Sequence, residues 1–497
     1  MEKYLSDLFS IVPPKPDHDP VRKAAARCAE DFEVASVLRQ FASMPPSTAV
    51  LANPVRHHLS VVCGQTQLQL NIRSFSIRGL LFEEDIVTGA ADPLRVIFVG
   101  LFGRFPTGVE MNLFSGFISR SFASAVDPAG PILQLAKLMK TFPETAPDIA
   151  MQHGAALRKA RYHSRGINTS RSADELLAEM IQVHIENTAV ATCASYMRAL
   201  LQKSPRMTET GLVSHTTNFI RQANPKNPLW ICYSLLRRRA VSASEARIFD
   251  RLGAIQVHHG SAGSNMVARY LASLHTRAVS DLFTAAQMAL DGARHFGAIA
   301  DMSDFIRELE GTPHSRRDET IRQRMLQGNL PTFGHPEIAA AGRGEQIQFD
   351  PRPALYVAPL FEDIDAGELN IPEHIQERLA LAQQMYQIAF IEGIAKPGGS
   401  GRLRVAPNTD FGAWLVQEAL GIEESDRTLL SYAYRGFGWM MDVREQLQQP
   451  IIRPVIAPDP GIVPGPSADT VIPSIVSDVH ERLRLEKAFA KILLPST

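Results

Sequence analysis

Cysteine is nearly missing from this chain of 497 residues: the four present, Cys28, Cys63, Cys193 and Cys232, stand far apart and form no C-x-x-C pair. That spacing argues against a disulfide scaffold and a structural zinc site, and it fits a reducing compartment. An excess of either charge is also missing, with 51 basic against 52 acidic residues. No net field draws the molecule toward nucleic acid or an anionic membrane, so any anion site has to be local. No apolar run is long enough to span a bilayer. The first residues, with Glu2, Asp7 and the pair Pro13-Pro14, show neither a secretory core nor an Arg-rich transit peptide. The expected address is the cytoplasm, with neither membrane nor nucleic acid as a partner. An alternating strand–helix rhythm and internal repeats are not seen either.

A chain this long exceeds what one simple core serves, so two or more lobes are expected. The segment 67–79 alternates apolar and polar residues and predicts a small ribbon near the start, with strands hardly expected elsewhere. Most of the remainder reads as helix. Ser172 and Glu175 have the spacing of a capping box, and they open a periodic stretch to about Leu201 with Leu176, Met180 and Val183 on one face. Similar periodicity predicts helices over 264–274, 281–293, 375–391, 411–420 and 428–448, the last stopped by Pro450. Stretches rich in glycine and charge predict loops at 341–350 and 394–404. Prolines between 450 and 473 fix φ and remove backbone donors, which predicts an extended arm leading into a final amphipathic helix from about residue 478. The fold class expected is all-α.

Three polar clusters interrupt the helical pattern: His258-His259-Gly260-Ser261, Phe333-Gly334-His335-Pro336 and Pro407-Asn408-Thr409-Asp410-Phe411. Each has an ordinary explanation when taken alone. A histidine such as His295 or His335 is more often a hydrogen-bonded structural residue than a catalyst. Asp410, at the start of a predicted helix, reads most simply as an N-cap. Asp350 and Arg352 read as a surface pair of little energetic consequence.

Their order carries more than any one of them. Phe102 to Pro106 reads FGRFP; His259 precedes a helix with Ala268-Arg269 and Ala272-Ser273; His295 follows 36 residues after His259. Downstream come Leu330 to Pro336 (LPTFGHP), Asp350-Pro351-Arg352, Pro407 to Phe411, Ala419-Leu420-Gly421-Ile422 and Tyr434-Arg435-Gly436-Phe437-Gly438-Trp439. Glu445-Gln446 and Ile452-Arg453-Pro454 close the series. In this order, over roughly residues 65–455, the segments resemble the citrate synthase family.

The resemblance implies an all-α fold with a large domain from 65–300 and 406–455 and a smaller mobile helical domain from 301–405, which closes over substrate. Residues 1–64 are then an N-terminal extension and 456–497 a proline-rich arm and helix. It implies a Claisen condensation of an acyl-CoA, acetyl-CoA first, with oxaloacetate, followed by thioester hydrolysis to citrate or a 2-alkylcitrate, as in the tricarboxylic acid cycle. Such chemistry needs a base for a weakly acidic carbon, a donor for the enolate oxygen and an acid for the attacked carbonyl. By the resemblance these are Asp410, His295 and His335 in turn. Two substrate carboxylates call for guanidinium forks, which the resemblance places at Arg352, Arg435 and Arg453, with His259 a further ligand. Arg453 would reach the neighbouring subunit's site, which implies a homodimer. No metal and no permanently bound cofactor is implied, with CoA entering and leaving as substrate and product.

Two segments depart from the family pattern. After His295 the chain reads Phe296-Gly297-Ala298-Ile299-Ala300-Asp301, without the glycine and asparagine of the usual turn, and the stretch between His335 and Arg352, which in the family contacts the CoA nucleotide, is longer than usual. The dicarboxylate half is thus intact and the acyl-CoA half altered. A 2-methylcitrate or longer-chain alkylcitrate synthase, a citryl-CoA lyase and a non-catalytic assembly protein stand as alternatives. A serine hydrolase is a further one, because His259-Gly260-Ser261-Ala262-Gly263 approaches G-x-S-x-G after an apolar 254–257 that would serve as its strand. That reading requires a parallel sheet behind the serine.

Overall fold

A computed structural model describes residues 92–447, apart from 103–105, 145–146, 148–149, 151–172, 224–226, 259–262, 275–278, 293–296, 335–351 and 396–401. It also describes the backbone of three short strands, β1 (Ser60–Cys63), β2 (Gln69–Ile72) and β3 (Phe75–Ser76). These pair antiparallel, Ser60 opposite Ile72 and Ile72 opposite Phe75, where the alternating sequence predicts a ribbon. All the described residues fall within one compact unit. The predicted proline-rich arm and terminal helix, and Ser172 of the expected capping box, lie outside them.

The rest is helical. In chain order the helices are α1 (Pro93–Phe102), α2 (Gly108–Ala125), α3 (Pro131–Thr141), α4 (Ala173–Lys203), α5 (Glu209–Ala223), α6 (Pro228–Arg237) and α7 (Ala243–Gln256). They continue as α8 (Gly263–Ser273), α9 (Val279–Leu290), α10 (Gly297–Gly311), α11 (His314–Leu326), α12 (Arg352–Asp365) and α13 (Glu373–Tyr386). The last two are α14 (Thr409–Ala419) and α15 (Arg427–Gln446). Local signals explain several starts. Thr107 with Glu110 and Ser242 with Glu245 form capping boxes ahead of α2 and α7, so two donors at each helix start are satisfied reciprocally.

Helix α4 is the axis of the core. The sequence shows one apolar face on it, but Leu177, Ile181, Val190, Cys193 and Met197 are buried together with His184, Thr188, Thr192 and Ser195. A helix buried all round is enclosed by its neighbours, here α2, α3, α6 and α15. Its polar groups find partners inside: Thr192 Oγ1 donates to Thr188 O at 3.0 Å, and Ser195 Oγ and Arg198 reach Asp426 at 2.6 and 2.8 Å.

His184 is wedged among Phe283, Tyr432 and Phe437. Its Nε2 lies 3.0 Å from Ala433 O, so Nε2 carries the proton and donates it. Burial holds its pKa down at about 4, against a weaker upward pull from that hydrogen bond. The unfolded chain therefore binds a proton that the folded chain refuses. The stability from neutral His184 is complete above the unfolded value near 6.5 and is lost as pH falls toward 4. A His184→Phe variant is expected to show a shallower decline in urea midpoint between pH 6.5 and 4.5 than the native protein, the native slope reporting a contribution on the order of 2–3 kcal/mol.

Helix α15 approaches α7 backbone to backbone. A Cβ at Gly438 would stand 2.0 Å from Val257 O, and one at Gly253 would meet the Tyr434 ring at 2.0 Å. Alanine normally gains roughly 0.5–1 kcal/mol over glycine in a helix. A carbonyl cannot swing aside as a side-chain end can, so at position 438 the clash wins. Gly438→Ala is expected to cost about 3 kcal/mol, measured as a lower urea midpoint.

Two expectations need correction. Strands are not confined to the start, because β4 (Ile394–Ala395) and β5 (Arg402–Leu403) pair antiparallel within the stretch read as a loop. Glycine and charge mask a hairpin whose strands are only two residues long. The apolar 254–257, the strand a serine hydrolase would need, instead forms the end of α7 and its C-cap. Every sheet pairing among the described residues is antiparallel, which removes the support for a nucleophile elbow.

Candidate active site

Helices α12, α14 and α15 converge with the loop 331–334 to form the site. Asp410 lies in the first turn of α14, and Asn408 is the residue that caps it, its Oδ1 accepting from the Asp410 and Phe411 amides at 2.9 and 3.4 Å. The simple reading of Asp410 as an N-cap is thereby corrected. Two residues of cap-forming type lie close together in the chain, and the earlier one takes the position. The far end of α14 is pinned as well: Glu418 pairs with Arg378 and Arg427, while Trp414 Nε1 donates to Ser303 Oγ at 2.9 Å.

Arg352 opens α12 and is only 1% exposed, and Arg435, inside α15, is 2% exposed. The surface-pair reading of Arg352 is therefore wrong. The two guanidiniums are close enough that burial first, and Arg352 second, hold the Arg435 pKa down at about 10, while Asp410 and Asp442 act to raise it. Arg435 Nε and Nη1 are buried with no hydrogen-bond partner. Buried polar groups are almost always paired, and buried charges without partners are costly. Arg435 thus brings two unused donors and a second buried guanidinium, Arg352, to the same place.

The loop leading to Gly334 is fastened to the strand-like approach to α14. Gly334 N donates to Ala406 O at 2.8 Å, Asn408 N to Thr332 O at 3.0 Å, and Asn408 Nδ2 to Gly334 O at 3.0 Å. Phe333 and Pro407 form a bridge between them. Thr332 has φ 62 and Gly334 φ 82. Glycine takes that conformation freely, but a β-branched residue does not. Beyond α13 the chain makes a π-helical turn, Gln387–Glu392, where Ala389 O accepts from Val405 N at 2.9 Å. The same approach is thus held from a second side.

Further along α15, Asp442 gathers a buried polar network of which sequence reasoning named only His258, Arg269 and Glu445. Asp442 is fully buried and accepts from His258 Nε2 at 3.0 Å, Asn265 Nδ2 and Arg269 Nε at 2.7 Å. Arg269 also pairs with Glu445. Burial works against the Arg269 charge, but Asp442 and Glu445 outweigh it and its pKa is raised. Arg269 and Glu445 both stand in the motifs quoted above. No periodicity relates residues on separate helices, so only the fold shows that they pair.

Of the predicted site residues, Arg352, Arg435 and Asp410 come together. His259, His295, His335 and Arg453 lie outside the described residues. No group of three or more His, Cys, Asp or Glu residues among the described ones is placed to hold a metal, and no described helix is long and apolar enough to cross a membrane.

The described chain is thus almost entirely helical, with two buried arginines, one of which feels the charge of Asp410 at the start of α14. Family comparison makes this specific. Residues 55–455 match the model described as citrate synthase, C-terminal domain, and the chain belongs to the citrate synthase family. Solved structures agree in fold. Citrate synthase from Thermotoga maritima MSB8 superposes with TM-score 0.56 at 15% identity, covering 84% of this chain and 98% of that one. Citrate synthase from Thermoplasma acidophilum, solved as a ternary complex with carboxymethyl coenzyme A and oxaloacetate, gives 0.55 at 16% identity, covering 86% and 100%. The Pyrobaculum aerophilum enzyme gives 0.55 at 17%, covering 84% and 93%. Among curated proteins, none matches the chain by sequence.

Proposed function

We propose that this chain condenses an acyl-CoA with a 2-oxo dicarboxylate such as oxaloacetate and hydrolyses the resulting thioester. The observation that supports this most is the pair of buried guanidiniums, Arg352 and Arg435, with Arg435 within electrostatic reach of Asp410. The arginines hold the carboxylates of the 2-oxo acid. Asp410 takes the proton from the carbon next to the thioester, His295 donates to the enolate oxygen, and His335 protonates the attacked carbonyl. Water then cleaves the thioester and CoA leaves as the thiol. His259 and Arg453 add to the dicarboxylate site, Arg453 across a homodimer interface. The lobe 301–405 closes over the substrates and excludes water.

The test is CoA release by the purified protein with oxaloacetate and, separately, acetyl-, propionyl- and hexanoyl-CoA, followed with a thiol reagent and product mass. Release that requires oxaloacetate supports the condensation and identifies the acyl group. A folded protein that releases CoA from no pair overturns it.

A further inference from the structure

We propose that Asn408 is a positioning residue that locks the Asp410 helix to the turn 332–334, and that this lock, beyond capping the helix, sets the aim of the base. The inference rests on the condensation reading. Every polar group of the Asn408 side chain has a task. Oδ1 accepts from the amides of Asp410 and Phe411, and Nδ2 donates to Gly334 O at 3.0 Å. This orientation of the amide is the one that satisfies all three partners. The backbone joins in, since Asn408 N donates to Thr332 O at 3.0 Å and Gly334 N to Ala406 O at 2.8 Å.

The turn shows that this arrangement is held against resistance. Thr332 is 4% exposed and sits at φ 62, a conformation that a β-branched residue keeps only when its surroundings over-determine it. In that conformation its carbonyl meets Asn408 N. The strain and the lock therefore meet at one residue. The residue following Gly334 in the chain is His335, the acid of the condensation reading.

Capping alone does not call for asparagine. Serine and aspartate cap about as well, but aspartate has no donor, and the serine hydroxyl is too short to cap the helix and reach Gly334 O together. Both variants keep the helix start and lose the link. The experiment takes the full-length protein with Asn408→Ser and Asn408→Asp, and reads kcat and KM for CoA release on the pH-independent plateau. There, the carboxylate introduced by Asn408→Asp no longer shifts the protonation of Asp410. Oxaloacetate binding and amide exchange over 331–334 and 404–411 are measured alongside.

The expected result is kcat lower by about 100-fold in both variants, with oxaloacetate affinity within two-fold of native in the uncharged Asn408→Ser and faster exchange in 331–334 in both. A plateau kcat within two-fold of native, or unchanged exchange in 331–334, overturns the proposal. A native protein that releases no CoA counts against the condensation reading instead, and the exchange measurement then decides the lock by itself.

Discussion

Asp410→Ala is expected to lower CoA release by 10²- to 10⁴-fold, roughly the contribution of one positioned base, while leaving the protein folded. The structure separates these two effects. Asn408, and not Asp410, supplies the cap of α14, and Glu418 with Arg378, Arg427 and the Trp414–Ser303 bond holds its other end. What Asp410 gives the helix is a negative charge near its N-terminus, worth roughly 0.3–1 kcal/mol. Its removal also withdraws a group that favours the charged form of Arg435. The arginine pair then faces less competing negative charge, so oxaloacetate should bind the variant as tightly as native or more tightly. Single-turnover CoA release and calorimetric titration check the two halves. Turnover within ten-fold of native would remove Asp410 from the role of base, and weaker oxaloacetate binding would mean that it holds the substrate instead.

How far the sequence reached depended on whether a feature was local. Helices α8, α9, α14 and α15 were legible because apolar spacing and a stopping proline act within one segment. The full burial of α4 was not, because Thr188, Thr192 and Ser195 look solvent-facing until α6 and α15 close over them. The hairpin β4–β5 was hidden by its own brevity. At the site, motif order picked out Arg352, Arg435 and Asp410, and the fold brings those three together. The Asp442 network and the Asn408 link were invisible as partnerships, since His258, Arg269 and Asp442, or Gly334 and Asn408, are joined only by tertiary packing. The burial of Arg352 shows the limit most plainly: nothing in Asp350-Pro351-Arg352 distinguishes a surface pair from a substrate ligand.

That burial leads to an expectation in which stability and function move in opposite directions. Burial and the neighbouring Arg352 depress the Arg435 pKa to about 10 from 12.5, so the folded state resists a proton that the unfolded chain keeps. The cost is fully present below pH 10 and is relieved only as pH rises from 10 toward 12.5. At neutral pH it is on the order of 3 kcal/mol. Arg435→Met keeps most of the volume and removes a charge whose burial outweighs the favourable pull of Asp410 and Asp442. The empty variant is therefore expected to have a urea midpoint equal to or above that of the native protein. It loses the forked donors, and removing one partner of a buried charged pair costs roughly 2–5 kcal/mol of binding, which weakens oxaloacetate by at least about 30-fold. Arg435→Lys keeps a charge but not the fork, so it should recover little of the binding and none of the stability. Adding oxaloacetate should raise the melting point of the native protein, as any ligand of the folded state does, and leave Arg435→Met unmoved. A variant that is both less stable when empty and still stabilised by oxaloacetate would show that Arg435 belongs to the core and not to the anion site.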